Sequence, residues 1–220
     1  MDNLAQALVQ FMLAADRSGA QTVIDRAFEA NRTKQEILVD ILDKAMHQMG
    51  EGWLREEYSL AQTFVAAKIA EDTLMRCMPE KSAGNSGVSK GKIVIGNIED
   101  DFHSLGRKIL ASFLRATDWE VIDLGNDVLA QDFVDEALKH EACLIGVSAM
   151  MRSTALNIRK LREEIDRRGL QNKVRLAVGG AVFNWQPELL KEVGGDGTAQ
   201  SAFNADELFS RLKKEVENFV

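Results

Sequence analysis

The chain has 220 residues, enough for one large domain or two small ones that each bury a core. Its 45% hydrophobic and 28% charged residues are the ordinary balance of a globular protein, and no apolar run approaches the roughly 20 residues that span a bilayer, which excludes a transmembrane segment. A net charge of -7 spread along the chain argues against a nucleic-acid surface, and two scattered cysteines, Cys77 and Cys143, exclude a disulfide framework or a zinc site and read as buried thiols. The start, Met-Asp-Asn-Leu-Ala-Gln, has no basic and apolar leader, so residence in the cytoplasm is expected.

Residues 1 to 78 carry apolar residues every three to four positions, which predicts helix throughout. The first helix is expected from about Leu4 to Ala15, and the second from Gln21 to Ala30 between breaks at Ser18-Gly19 and Asn31. Thr33 and Glu36 have capping-box spacing and open a third helix, whose apolar stripe is Ile37, Leu38, Ile41, Leu42, Ala45, Met46 and Met49. Gly50-Glu51-Gly52 reads as a break. Ser59 and Gln62 repeat the capping-box spacing, and a fourth helix runs to Met78 before Pro79.

Residues 80 to 91 are small and polar, the one stretch with linker composition, so the expected domains are 1–79 and 92–220. Beyond the linker, short β-rich runs alternate with amphipathic helices. The expected strands are Lys92 to Gly96, Glu120 to Leu124, Cys143 to Val147, Val174 to Val178 and a short one near Thr198. Helices are expected to start near Ser104, Ala130, Ser153 and Trp185, with a last one from Ala205 to the end. The fold class is therefore α/β, a four-helix bundle followed by a doubly wound, five-stranded parallel sheet of the flavodoxin-like or Rossmann-like kind.

Open parallel sheets bind ligands at the carboxyl ends of their strands, which directs attention to the loops after the first, third and fourth. These loops carry Asp101-Phe102-His103-Ser104-Leu105-Gly106, then Ser148-Ala149-Met150 followed by Ser153-Thr154, then Gly179-Gly180. An Asp-x-His-x-x-Gly hexapeptide is a weak signal alone. Its spacing is more specific: 41 residues separate Gly106 from Ser148, and 28 separate Met150 from Gly179. The arrangement resembles the cobalamin-binding domain of corrinoid-dependent methyltransferases and mutases, with Met150 where the family pattern has Leu. That exchange keeps an apolar side chain of similar volume.

The resemblance implies cobalamin as cofactor, in its methylcobalamin and Co(I) forms, with His103 as the lower axial ligand to cobalt. Imidazole is a good ligand for such an ion, and a carboxylate two residues away suits the second ring nitrogen. A relay of His103, Asp101 and Thr154 is expected on the family's pattern. The same resemblance puts Gly179 and Gly180 along a slot for the cofactor's benzimidazole tail, Ser148 and Met150 beside it, and Gly106 beneath the corrin ring. The stretch from Met49 through Ala70 looks like the helical cap that precedes such domains, its three contacts falling on Trp53, Leu60 and Phe64.

The combination of cap and cobalamin domain resembles the corrinoid subunit of multi-component methyltransferase systems, a methyl carrier not catalytic alone. Its implied partners are a substrate-specific methyltransferase, a second methyltransferase that passes the methyl group to an acceptor, and a reductive activator; neither nucleic acid nor membrane is expected. A cobalamin-dependent sensor without its own DNA-binding domain is the alternative, and a mutase small subunit or a response-regulator-like domain fits less well. Each site residue also has a plainer reading. Asp101 can complement a helix dipole, Ser148 and Thr154 can cap helices, Gly179-Gly180 can be a turn, and Trp53, Leu60 and Phe64 can be bundle core. His47 and His140 are expected at the surface. Arg152 stands near the tail slot as a cation able to meet a phosphate.

Overall fold

The computed structural model describes residues 3–77 and 89–218. The chain divides into two compact units, with the division between residues 82 and 83, and each unit is described by itself. Residues 80–88 of the expected linker, and the expected helix end at Met78-Pro79, lie outside the described residues. Gly91, expected as linker, instead opens the first strand.

The first unit is helical: α1 Asn3–Leu13, α2 Arg17–Glu29, α3 Lys34–Glu36, a π-helical stretch Ile37–Asp43, α4 Lys44–Leu54 and α5 Leu60–Cys77. Because α3, the π stretch and α4 follow without interruption, four helical rods result. Leu8, Met12, Ile24, Ile37, Ile41, Met49, Ile69 and Leu74 fill the space between them. Both expected capping boxes are present. The Thr33 hydroxyl accepts from the Glu36 amide while Glu36 accepts from the Thr33 amide, and Ser59 and Gln62 make the same reciprocal pair.

Two expected breaks are overturned, for one physical reason. Ser18 and Gly19 lie inside α2, which starts at an Asp16 cap, and Gly50-Glu51-Gly52 lies inside α4. A Cβ on Gly19 would stand 2.2 Å from the Phe11 ring, and one on Gly52 would stand 2.0 Å from the Tyr58 ring. These glycines admit an aromatic ring against the helix and do not end it.

The second unit is a five-stranded parallel sheet in the order β2-β1-β3-β4-β5, formed by β1 Gly91–Asn97, β2 Trp119–Asp123, β3 Leu144–Ser148, β4 Arg175–Gly179 and β5 Gly197–Thr198. The helices are α6 Ser104–Ala116, α7 Ala130–Lys139, α8 Arg152–Ala155, α9 Ile158–Arg167, α10 Ala181–Trp185, α11 Leu189–Glu192 and α12 Ala205–Glu217. Trp185 ends a helix here, whereas it was expected to begin one; Gly180 precedes α10, and Pro187 separates it from α11.

One face of the sheet packs Val94, Ile145, Val147, Leu176 and Val178 against residues of α7, α9, α10 and α11. The other packs Ile93, Ile95, Leu144 and Ala177 against α6 and α12. This alternation is why the strands read as nearly continuous apolar runs. Among the described residues, no helix is long and apolar enough to cross a membrane.

Candidate cofactor site at the carboxyl edge of the sheet

The loop after β1 turns sharply. Asp100 sits at φ 68°, a left-handed conformation that Asp tolerates, and its amide donates to Asp127 Oδ1 at 2.8 Å. This turn directs the Asp101 side chain inward, where it is fully buried, and leaves the His103 side chain 54% exposed at the cap position of α6.

Four donors hold the Asp101 carboxylate. Oδ1 accepts from Asn97 Nδ2 at 2.8 Å and the His103 amide at 3.0 Å, and Oδ2 accepts from the Met150 amide at 2.7 Å and Thr154 Oγ1 at 2.9 Å. Burial alone would raise the Asp101 pKa, but hydrogen bonds from Met150, His103, Asn97 and Thr154 outweigh it and lower it below the usual carboxylate value. The His103 Nδ1 lies 3.4 Å from Asp101 Oδ1, which turns Nε2, across the ring, away from the carboxylate. A charged oxygen beside one ring nitrogen and an outward second nitrogen are what a ligating imidazole requires. Two of the four donors, the His103 and Met150 amides, lie just before α6 and α8, so the same carboxylate also complements those helix N-termini.

Ser148 pairs in register with Gly179 on β4 and with Asn97 on β1. By strand alternation both Ser148 and Gly179 lie on the α12 side of the sheet. Farther back on that side, α12 fills the space: a Cβ on Gly146 would meet the Phe209 ring at 2.9 Å, and one on Gly197 would meet Leu208 at 2.7 Å. At the edge, a Cβ on Gly179 would meet nothing within 4 Å, and the same holds for Gly106 at the start of α6. Gly180 has a different reason for its identity. Its φ is 112°, and a Cβ there would lie 2.0 Å from the Ala149 carbonyl oxygen.

The segments that follow strands β1 to β4 leave Phe102, Leu129, Met150, Met151 and Trp185 exposed. Exposed apolar side chains beyond the carboxyl ends of the strands suit a large, mostly apolar ligand. Of these, the sequence pattern singled out Met150 alone, because single apolar residues in loops or at the end of a short helix carry no period. It also missed Asn97 and the role of the Met150 backbone amide.

The sequence matches the family described as the B12 binding domain over residues 91–205, and a second family of the same description over residues 4–77. The chain belongs to the B12-binding family. It is 31% identical to a corrinoid protein of Desulfitobacterium hafniense (strain Y51), covering 96% of each chain. It is also 28% identical to the dimethylamine corrinoid protein of Methanosarcina barkeri, covering 95% of this chain and 99% of that one. Among solved structures, the monomethylamine corrinoid protein of Methanosarcina barkeri shares the fold, with a TM-score of 0.82 at 24% identity over 95% of this chain and 98% of that chain. The methanol:cobalamin methyltransferase complex of that organism matches at a TM-score of 0.52 and 19% identity, covering 100% of this chain and 85% of that one.

The cofactor of this B12-binding chain is cobalamin, and the residues at the edge fit it: an outward imidazole nitrogen, exposed apolar side chains in the segments after the strands, and Gly106 and Gly179, whose missing Cβ atoms leave room. Arg152 does not stand free as a phosphate-seeking cation. Its guanidinium donates to Gln186 at 2.8 Å and Glu192 at 3.0 Å, tying α8 to the α10–α11 segment. His47 and His140 are accounted for at the surface, His47 beside Glu51 and His140 capping α7 beside Glu136. Cys77 is buried, which pushes its thiol up to about 11, and Cys143 is half-buried.

In the helical unit, Trp53 is 44%, Leu60 72% and Phe64 67% exposed. Leu60 and Phe64 occupy successive turns of one face of α5. The plain bundle-core reading of these three is thereby overturned.

Proposed function

We propose that this chain is a methyl carrier, a corrinoid protein that accepts a methyl group from one methyltransferase and yields it to another. The observation that carries this reading is the Asp101 carboxylate, buried and held by Thr154 and Met150, beside a half-exposed His103. Bound cobalt would supply the nucleophile and the methyl-carrying bond. The protein's own work is different. His103 Nε2 would hold the cobalt, and Asp101 would fix the imidazole's tautomer and stabilise its charge. Thr154 and the Met150 amide keep Asp101 anionic, and Phe102, Met150, Met151 and Trp185 would exclude water from the bound cofactor. Gly106, Ser148, Gly179 and Gly180 would leave room for the cofactor's tail, with the Ser148 hydroxyl as its hydrogen-bonding partner.

We assign residues 1–79 as the cap domain and 92–220 as the cobalamin domain. The exposed Trp53, Leu60 and Phe64 supply the cap's apolar contact with the reactive face. Leu60 and Phe64 share one exposed face of α5, and such a pair of large apolar side chains suits contact with an apolar ligand surface. The partners are a substrate-specific methyltransferase and an acceptor methyltransferase, with a reductive activator to rescue oxidised cobalt. The relatives named as methylamine corrinoid proteins and the methanol:cobalamin methyltransferase complex support that grouping. Relatives named as dimethylamine and trimethylamine corrinoid proteins favour the carrier over the sensor.

Reconstitution with hydroxocobalamin tests the reading. Close to one corrinoid per chain is expected, with the benzimidazole base displaced and nitrogen superhyperfine splitting in the EPR of the Co(II) form. Ring-15N histidine should convert three-line splitting to doublets. If that splitting is indifferent to labelled histidine, His103 is not the ligand.

A further inference from the structure

Behind the His103 loop lie two buried polar side chains that the relay does not use, Asn97 at the end of β1 and Arg107 in the first turn of α6. Asn97 is fully buried and Arg107 is 5% exposed. The Asn97 amide nitrogen donates twice, to Asp101 Oδ1 at 2.8 Å and to the His103 carbonyl at 3.1 Å. Its amide oxygen accepts from Arg107 Nε at 2.7 Å. The other guanidinium nitrogens of Arg107 reach Asp123, at the end of β2, and Asn126 Oδ1 at 3.1 Å. A polar chain thus runs from the end of β2 through α6 and β1 into the loop that presents the imidazole.

The direction of the Asn97 amide follows from this network. A flipped amide would set NH2 against the Arg107 Nε–H and its oxygen against both the Asp101 carboxylate and the His103 carbonyl, turning three attractive contacts repulsive. Arg107 can enforce the choice because its planar fork, held at the far side by Asp123 and Asn126, presents Nε in a fixed direction; a lysine ammonium could not. A buried guanidinium and amide are costly unless every partner is present, so the arrangement has one low-energy form.

On the cobalamin reading above, we propose that Asn97 and Arg107 are positioning residues for the axial imidazole: Arg107 sets the Asn97 amide, and the set amide clamps the Asp101 carboxylate and the His103 backbone together. Asn97 therefore fixes the plane of the carboxylate whose Oδ1 faces His103 Nδ1, and Arg107 acts only through Asn97.

The test uses the full chain with Asn97→Ala, Arg107→Lys and the double variant, each with and without cobalamin. In the Co(II) protein, each single variant should lower the ratio of histidine-ligated to unligated cobalt, read by EPR, by about tenfold or more. The double variant should be no worse than Asn97→Ala, because the two act in series. In the cofactor-free chain, hydrogen exchange at the His103 amide should quicken about fivefold or more in both single variants, while amides of β3 and β4 keep their wild-type rates. If Asn97→Ala does not fold, Asn97→Ser, which keeps one donor, replaces it. Wild-type ligation and wild-type His103 exchange in folded variants would overturn the proposal. Additive losses in the double variant would overturn the serial order. A wild-type protein that shows no histidine ligation would sink the cobalamin reading instead, and the cofactor-free exchange would still decide the clamp.

Discussion

Asp101 concentrates the chemistry of the edge in one carboxylate, and its hydrogen bonds make a pH prediction. Because the folded state holds its pKa below that of an unfolded aspartate, about 3.9, the stability it contributes is complete above that value. The contribution is lost as pH falls through the lower folded value. Asp101→Asn should therefore lower stability at neutral pH by about 1–3 kcal/mol for the donors left unmatched, read as a lower urea midpoint, and flatten the decline of that midpoint in acid. A midpoint that falls as steeply in the variant as in wild type would count against this. In the reconstituted protein the same variant should shift the Co(II)/Co(I) midpoint potential. His103 was legible in the sequence because the motif spacing singles it out, and Thr154 because the resembling family carries a hydroxyl at the matching position. Asn97 and Arg107 were not: a polar residue closing an apolar strand, and an arginine on an amphipathic helix, look like solvent-facing groups. Only tertiary packing, with Asp123 arriving from β2, shows them buried.

The turn from β4 into α10 separates two neighbouring glycines by their reasons for being glycine. Gly180→Ala places a Cβ against the Ala149 carbonyl at an unfavourable φ, so the cofactor-free protein should lose about 2 kcal/mol or more. Gly179→Ala meets nothing, so its cofactor-free stability should stay within about 0.5 kcal/mol. Its cobalamin affinity should nevertheless fall roughly tenfold or more if the tail lies there. Thermal melts and titration of the two variants would distinguish a slot from an ordinary turn, and unchanged affinity in Gly179→Ala would remove Gly179 from the slot. On the helical unit, Trp53→Ala should cost no more than about 1 kcal/mol because the side chain is half in water, whereas Ile41→Ala, fully buried, should cost about 2–5 kcal/mol. Faster photolysis of methylcobalamin in Trp53→Ala alone would support the cap; equal photolysis in both variants would argue that any loosening suffices. The strands and capping boxes were readable because alternation and reciprocal side-chain spacing are local. Gly19 and Gly52 misled because their partners, Phe11 and Tyr58, act through space, and a missing side chain that admits a ring looks in sequence like a helix stop.

At the scale of the chain, the succession of a helical unit and a parallel sheet was legible from the change of hydrophobic period, and the order β2-β1-β3-β4-β5 places the motif loop after β1, next to the β1–β3 pair where the winding of the sheet reverses. Cobalamin should raise the melting temperature, since a ligand at 100 times its dissociation constant adds about 2.7 kcal/mol. His103→Ala should reduce that rise at equal ligand concentration, and an equal rise in both proteins would mean that the imidazole adds nothing to binding. The long-range hydrogen bonds to Asp101 have a consequence for how the protein is made. The Asp101–His103 loop leaves the ribosome before its partners: the Met150 amide and Thr154 that lock the Asp101 carboxylate follow 49 and 53 residues later. At about 5–20 residues per second, the nascent loop spends several seconds without them, and residues still inside the ribosomal tunnel cannot complete it. On the proposed ligand assignment, loading of the cofactor waits until the third strand and its following turn have left the ribosome, so a nascent chain halted before that point should fail to capture corrinoid through His103.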